Sequence, residues 1–122
     1  MKDNFLTAGE FVRNLEATDS SLLVVDCRPL TAFSHGHIRG AVHAFCPSIL
    51  WRRGAARGYI RLEAVLEPEV RKQLRAGEFK TLVLYDEGAS PREPSELHLI
   101  LQGLHKYPVF QSVVVLKGKL DF

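Results

Sequence analysis

Three short runs constrain this chain more than anything else in it: Leu22-Leu23-Val24-Val25, Leu82-Val83-Leu84-Tyr85 and Val113-Val114-Val115-Leu116. None alternates between apolar and polar residues. A strand with one wet face must alternate, because successive side chains point to opposite sides, whereas a strand covered on both faces reads as a continuous apolar run. These runs, rich in β-branched residues, are therefore expected to be parallel strands covered above and below. A weaker strand, Ala41-Val42-His43-Ala44, follows the turn at Gly40. The intervening segments carry helical signals. Thr7-Ala8-Gly9-Glu10 has capping-box spacing, with Leu6 and Phe11 placed as a hydrophobic staple. Pro68 suits a helix first turn and Gly77 its close, and Leu97, Ile100, Leu101 and Leu104 form one apolar stripe of a later helix. Strands alternating with helices predict an α/β fold, a central parallel β-sheet flanked by helices on both faces.

Composition narrows the function classes. The 122 residues suit a single domain over 1–122. With 46% hydrophobic and 25% charged residues, the chain is globular rather than disordered. No apolar stretch approaches the roughly 20 residues that cross a bilayer, and Met1-Lys2-Asp3-Asn4 does not open a signal peptide. A soluble, intracellular protein without a membrane partner is expected. Cys27 and Cys46 give neither metal-ligand spacing nor a disulfide framework. A net charge of +2 argues against a nucleic-acid partner. Charge is concentrated locally instead: Arg52, Arg53, Arg57 and Arg61 lie in a stretch without a single acid.

In parallel α/β folds, ligands bind beyond the carboxyl ends of the strands. Three loops fall there: Asp26-Cys27-Arg28-Pro29, Asp86-Glu87-Gly88-Ala89-Ser90-Pro91-Arg92 and Lys117-Gly118-Lys119. Val25-Asp26-Cys27-Arg28-Pro29, followed by Phe33-Ser34-His35-Gly36-His37-Ile38-Arg39-Gly40-Ala41-Val42, resembles the rhodanese-like signature of an Asp-x-Arg turn, an aromatic residue and Gly-His-Ile-x-Gly-Ala. Leu116-Lys117-Gly118 with Phe122 resembles the family's closing motif, with Lys119 where a second Gly is usual. More narrowly, Asp26-Cys27-Arg28-Pro29, Trp51-Arg52-Arg53 and Tyr85-Asp86-Glu87 look like the amino-terminal domain of MAP kinase phosphatases, which are dual-specificity phosphatases. The resemblance runs from about Leu22 to Phe122.

The resemblance implies a test at residue 86. Active rhodaneses and the related cell-cycle phosphatases carry a nucleophilic Cys directly after this strand, and in the phosphatases an Arg follows after five residues, so that loop N–H groups cradle an anion. Here the spacing from Asp86 to Arg92 is kept and the Cys is an Asp. A carboxylate cannot carry a persulfide, and with Glu87 it repels phosphate and thiosulfate. The loop Asp86, Glu87, Gly88, Ala89, Ser90, Pro91, Arg92 therefore reads as a vestigial active site, with no catalytic residue, no metal and no cofactor. Cys27 and Cys46 read as packing thiols, although Arg28 beside Cys27 would favour a thiolate. His35, His37 and His43 read as part of the structural signature rather than as metal ligands, and His98 and His105 as exposed helix residues.

The segment from Ile49 to Leu62 resembles a MAP kinase docking motif: a basic pair, a spacer, then alternating apolar residues. Guanidinium groups form bidentate bonds with carboxylates and so select an acidic surface, while Ile60 and Leu62 would enter a groove from an extended backbone. Gly54 and Gly58 would let the loop adapt. The competing expectation is a solvated basic helix with Trp51 and Ile60 packed on the domain's own core. The kinase-binding residues are assigned as Arg52, Arg53, Arg57, Ile60, Arg61 and Leu62.

The expected function is thus a non-catalytic docking and regulatory domain in signalling, which binds a MAP kinase through its acidic docking surface and recruits it to a dual-specificity phosphatase. Relatives place it in the cytoplasm or nucleus. Because no Cys-x5-Arg loop occurs in the chain, the catalytic domain is expected elsewhere in a larger polypeptide, and this chain is read as an excised or shortened domain. Two alternatives stand beside it: an active sulfurtransferase or phosphatase, and a structural or autoinhibitory module touching only its own catalytic domain.

Overall fold

A computed structural model of the chain describes residues 2–7, 21–88 and 90–118. Five parallel strands form one sheet in the order β1-β5-β4-β2-β3. They are β1 (Lys2–Thr7), β2 (Leu22–Asp26), β3 (Val42–His43), β4 (Thr81–Tyr85) and β5 (Ser112–Lys117). The three apolar runs are the three inner strands. β4 lies at the centre, with Leu22↔Thr81 to Asp26↔Tyr85 on one side and Thr81↔Ser112 to Leu84↔Val115 on the other. Leu82, Val83, Leu84 and Tyr85 are all buried, as a strand covered on both faces requires.

The pleat divides these runs between two cores. Leu23, Val25, Leu82, Leu84 and Val113 face one cluster, and Val24, Val83, Tyr85 and Leu116 face the other. Among the described residues, four α-helices lie between β2 and β5: α1 (Leu30–His35), α2 (Ser48–Arg57), α3 (Pro68–Arg75) and α4 (Glu96–Lys106), with a 3-10 turn over Leu62–Val65. The first cluster takes its cover from Val70 of α3 and Leu99, Ile100 and Leu104 of α4, with Leu50, Trp51 and Ala55 of α2 against it. Ile38 and Ala41, in the turn after α1, pack on the second.

Local signals set the helix ends. Pro68 occupies the first turn of α3, and Gly77 beyond its end adopts φ +75°, a conformation that costs glycine nothing. Ser95 caps α4 by accepting a bond from the His98 N–H at 3.1 Å, with Glu96 in the first turn and His105 and Lys106 in the last. The apolar stripe of α4 is wider than its spacing predicts: Leu99 and Gly103 are buried with Ile100 and Leu104, while Leu97 and Leu101 are partly buried.

One strand escapes the sequence reading altogether. β1 pairs with β5 from Lys2↔Ser112 to Thr7↔Lys117, yet it contains only two apolar residues, Phe5 and Leu6. An edge strand takes its ladder from one neighbour and needs no continuous apolar run. Thr7 ends this strand. The capping box and staple beyond it, together with Lys119 and Phe122 of the closing motif, lie outside the described residues.

Candidate functional site

The carboxyl ends of β2, β3 and β4 meet in a knot of buried charge. Asp26, which is 0% exposed, accepts from the Arg28 N–H at 2.8 Å through Oδ1. Its two oxygens also take the Arg28 guanidinium, through Nε at 3.1 Å and Nη2 at 2.7 Å. Arg28 then donates through Nη1 to Glu87 Oε1 at 2.8 Å and through Nη2 to the Gly36 carbonyl. One arginine thereby ties the end of β2 to the turn after α1 and to the loop after β4. Tyr85 completes the knot, its hydroxyl accepting from the Ile38 N–H at 3.1 Å. The Asp-x-Arg turn is a structural device, since each buried charge keeps a partner.

Beside the knot opens a cavity of about 220 Å³, lined among others by Cys27, His43, Cys46, Asp86, Arg92 and Glu96. Asp86 follows β4 directly, and its Oδ1 accepts from the Gly88 N–H at 2.7 Å. This bond closes a turn in which Glu87 has φ 63°, an uncommon conformation for a side chain of that size. Ala89 lies outside the described residues. Arg92 is turned onto the protein: its Nη1 donates to the Cys46 carbonyl at 3.0 Å and to Glu96 Oε1 at 2.8 Å. Burial raises the Glu96 carboxyl, against the pull of Arg92. Sequence reasoning missed Glu96, although its place four residues after Arg92 is the spacing of a helical ion pair.

Neither thiol is activated here. Burial first, then the charges of Asp86, Glu96 and Asp26, push Cys27 well above its ordinary value. Burial and Glu96 push Cys46 up to about 11, against the opposing effect of Arg92. The cavity thus joins two carboxylates and two arginines, Arg28 and Arg92, to two thiols whose protons burial retains, an environment that disfavours a nucleophilic sulfur. His35 and His37 face carbonyls of their own segment, Thr31 and Phe33 at 2.8 Å, and His43 Nε2 lies 2.8 Å from the Arg28 carbonyl.

The arginine segment forms a helix and a return, not an adaptable loop. In α2 the inner face consists of Leu50, Trp51, Gly54 and Ala55, and the outer face of Arg52, Arg53, Ala56 and Arg57. Trp51 is pinned by its indole N–H, which donates to the Pro94 carbonyl at 2.8 Å. Gly58, at φ +96°, ends the helix and turns the chain back beneath it. Ile60 and Leu62, expected to enter a partner's groove, are 0% and 5% exposed and belong to the first core cluster. The reason is legible afterwards: Leu62, Val65, Leu66 and Val70 follow helical spacing, and Ile60 donates its N–H to the Leu99 carbonyl at 2.9 Å. Gly54 is buried against Ile60, where a methyl would collide with the Ile60 side chain. The core claims these apolar residues.

The arginines divide into two groups. Arg52 and Arg53 project from the exposed face of α2, and among the described residues neither forms an ion pair. Arg57 donates through Nε to the Tyr59 carbonyl at 3.0 Å and lies 4.6 Å from that ring's centroid. Arg61 pairs with Glu63 at 2.9 Å and lies 4.3 Å from the centroid of Tyr107.

This architecture has known counterparts. The profile of the rhodanese-like domain family matches residues 7–121. The chain belongs to the rhodanese-like family. This rhodanese-like domain is 42% identical over 110 residues to dual specificity protein phosphatase 4 of Gallus gallus, which covers 84% of the chain and 28% of that protein. Against the same phosphatase of Homo sapiens it is 39% identical over 102 residues, 79% of the chain and 25% of the relative. Dual specificity protein phosphatase 1 of Mus musculus is 36% identical over 88 residues, 71% of the chain and 23% of the relative. The rhodanese-like domain thus spans about a quarter of the length of these relatives and corresponds to their N-terminal region.

Proposed function

We propose that this domain is a non-catalytic docking module, which binds the acidic docking surface of a MAP kinase through Arg52 and Arg53 and recruits it to a phosphatase catalytic domain on the same polypeptide. The observation that carries this reading is the exposed arginine pair on a helix whose inner face is pinned to the core. The kinship with dual specificity phosphatases supports it. A guanidinium pair on a rigid element loses little freedom on meeting carboxylates. Such charge-assisted bonds contribute about 1.5–3 kcal/mol each before the costs of association. Binding in the micromolar range or modestly tighter follows. Arg57 and Arg61, already engaged by their own domain, are secondary contacts. Ile60 and Leu62 support the surface from beneath. The assignment implies an intracellular site of action, in the cytoplasm or the nucleus.

The loop after β4 has no catalytic part in this reading. Asp86 stands where sulfur or phosphoryl transfer requires a thiolate, and both thiols of the domain are held protonated by burial. Thiosulfate–cyanide sulfurtransfer and aryl-phosphate hydrolysis by the isolated domain are expected at background. Activity that disappears with Asp86→Ala would reverse the assignment.

The docking test is a salt titration of binding to a panel of purified MAP kinases, with Arg52→Glu/Arg53→Glu alongside. Binding should weaken with salt, because exposed charge pairs are screened, and should fall at least tenfold in the variant without a change in its unfolding midpoint. Full binding by the folded variant would remove the pair from the site. Failure of the unaltered domain to bind any kinase would favour a module that contacts only its own catalytic domain.

A further inference from the structure

On the far side of the return from α2, a second concavity of about 260 Å³ opens between the 3-10 turn, α3 and the end of α4. Its floor is apolar, built by Leu62, Leu74, Leu104 and Phe110. At its mouth stand Val109 and Tyr107, 55% and 38% exposed. A cavity of about 150 Å³ lined by such side chains is large enough for a benzene ring, so this one accepts a single bulky apolar side chain. Large apolar residues left exposed beside an apolar hollow mark a place where something docks.

Charge says what kind of chain that is. Arg61 and Arg75 line the concavity itself, and Arg57 and Lys106 lie beside it over the ring of Tyr59, at 4.6 Å and 5.4 Å. Tyr59 in turn meets Tyr107 with ring centroids 5.8 Å apart. Against these four cations stands one lining carboxylate, Glu63, which contacts Arg61 at 2.9 Å and Arg75 at 3.9 Å. Stacking on an aromatic face fixes a guanidinium while leaving in-plane N–H donors for a second partner. A second copy of this domain would bring its own cations to the rim, so charge complementarity selects an acidic occupant.

We propose that this concavity is a second recognition site, which takes one bulky apolar side chain from an acidic segment of a partner protein while Arg61 and Arg75 pair with flanking carboxylates. The site stands apart from Arg52 and Arg53, although Arg57 and Arg61, the secondary contacts proposed above, lie at its edge, and the apolar hollow itself does not depend on kinase recruitment.

The probe is a fluorescein-labelled acidic peptide with one central Phe, compared with a twin carrying Ser in its place, by anisotropy at about 0.15 M salt. The Phe peptide should bind at least fivefold more tightly than its twin. Val109→Glu at the exposed mouth should weaken it at least fivefold, and Arg75→Glu, at a side chain 69% exposed, should do likewise. Arg52→Glu/Arg53→Glu should change it less than twofold. Equal binding of the two peptides, or no binding at millimolar peptide, overturns the proposal. So does a loss confined to the Arg52/Arg53 variant, which would place acidic chains on α2. A self-associating domain that becomes monomeric with Val109→Glu would assign the hollow to a second copy, also against the proposal.

Discussion

Asp26 and Arg28 stand two residues apart in a turn and hold three segments together, so their removal is not symmetrical with their presence. A buried ion pair adds little over well-packed apolar residues, but breaking one leaves a charge without compensation. Asp26→Ala takes from the Arg28 guanidinium the carboxylate that receives both its Nε and its Nη2. It should cost about 3 kcal/mol or more, read as a lower urea midpoint. A loss below about 1 kcal/mol would show that the arginine is satisfied without Asp26. The thiols make a separate prediction. Cys46, raised from 9.0 to about 11, should be alkylated roughly a hundredfold more slowly at neutral pH than an ordinary thiol, with a rate still climbing towards pH 11. Buried Cys27 should lag behind it. Rapid labelling of either at neutral pH would contradict the burial described. Both thiols hold their protons more tightly folded than unfolded, so their contribution to stability is complete below about pH 9 and is lost as pH rises through the folded values.

At the scale of elements, α2 and α4 are brought close by two glycines that share one neighbour. A β-carbon on Gly54 would meet the side chain of Ile60, and one on Gly103 would meet the Ile60 backbone carbonyl. In an exposed helix, Gly→Ala gains up to about 1 kcal/mol. Here both substitutions should destabilise, and Gly103→Ala by more, because a buried side chain can shift within its packing more readily than a backbone carbonyl in the return from α2. We expect about 1–3 kcal/mol for Gly54→Ala from overpacking and a larger loss for Gly103→Ala, measured by denaturant unfolding. The reverse ranking would mean that the backbone at Ile60 yields more readily than its side chain. This contact also explains the one misreading that mattered for the site. An Arg pair followed by spaced apolar residues was legible, but whether those apolar residues face a partner or the core depends on α4, more than thirty residues away in the chain.

At the scale of the whole molecule, sheet order decides which strands tolerate change. β4 touches neighbours on both sides and cores on both faces, whereas β3 is a two-residue edge. Leu84→Ala should cost about 2–5 kcal/mol, and Val42→Ala at the half-buried edge distinctly less, both read from urea midpoints. Similar losses at the two sites would place the stability centre elsewhere. The same order puts the Asp26–Arg28 knot and the loop after β4 at the carboxyl ends of adjacent strands. The arginine pair lies on a helix over the first core cluster.

The inner strands, the helix α3 between Pro68 and Gly77, the rhodanese-like signature and the carboxylate at position 86 were all determined by the sequence alone. Each is a local pattern whose meaning does not depend on distant contacts: an apolar run has one stable solution, and an Asp has no sulfur. Tertiary structure decided the rest. It paired the sparse strand β1 with β5, turned Arg92 onto Glu96, drew Ile60 and Leu62 into the core and set Tyr59 at a tilt against Tyr107. Those choices follow from which surfaces meet when the sheet and helices close, and burial is a property of that meeting rather than of any residue's own neighbourhood in the chain.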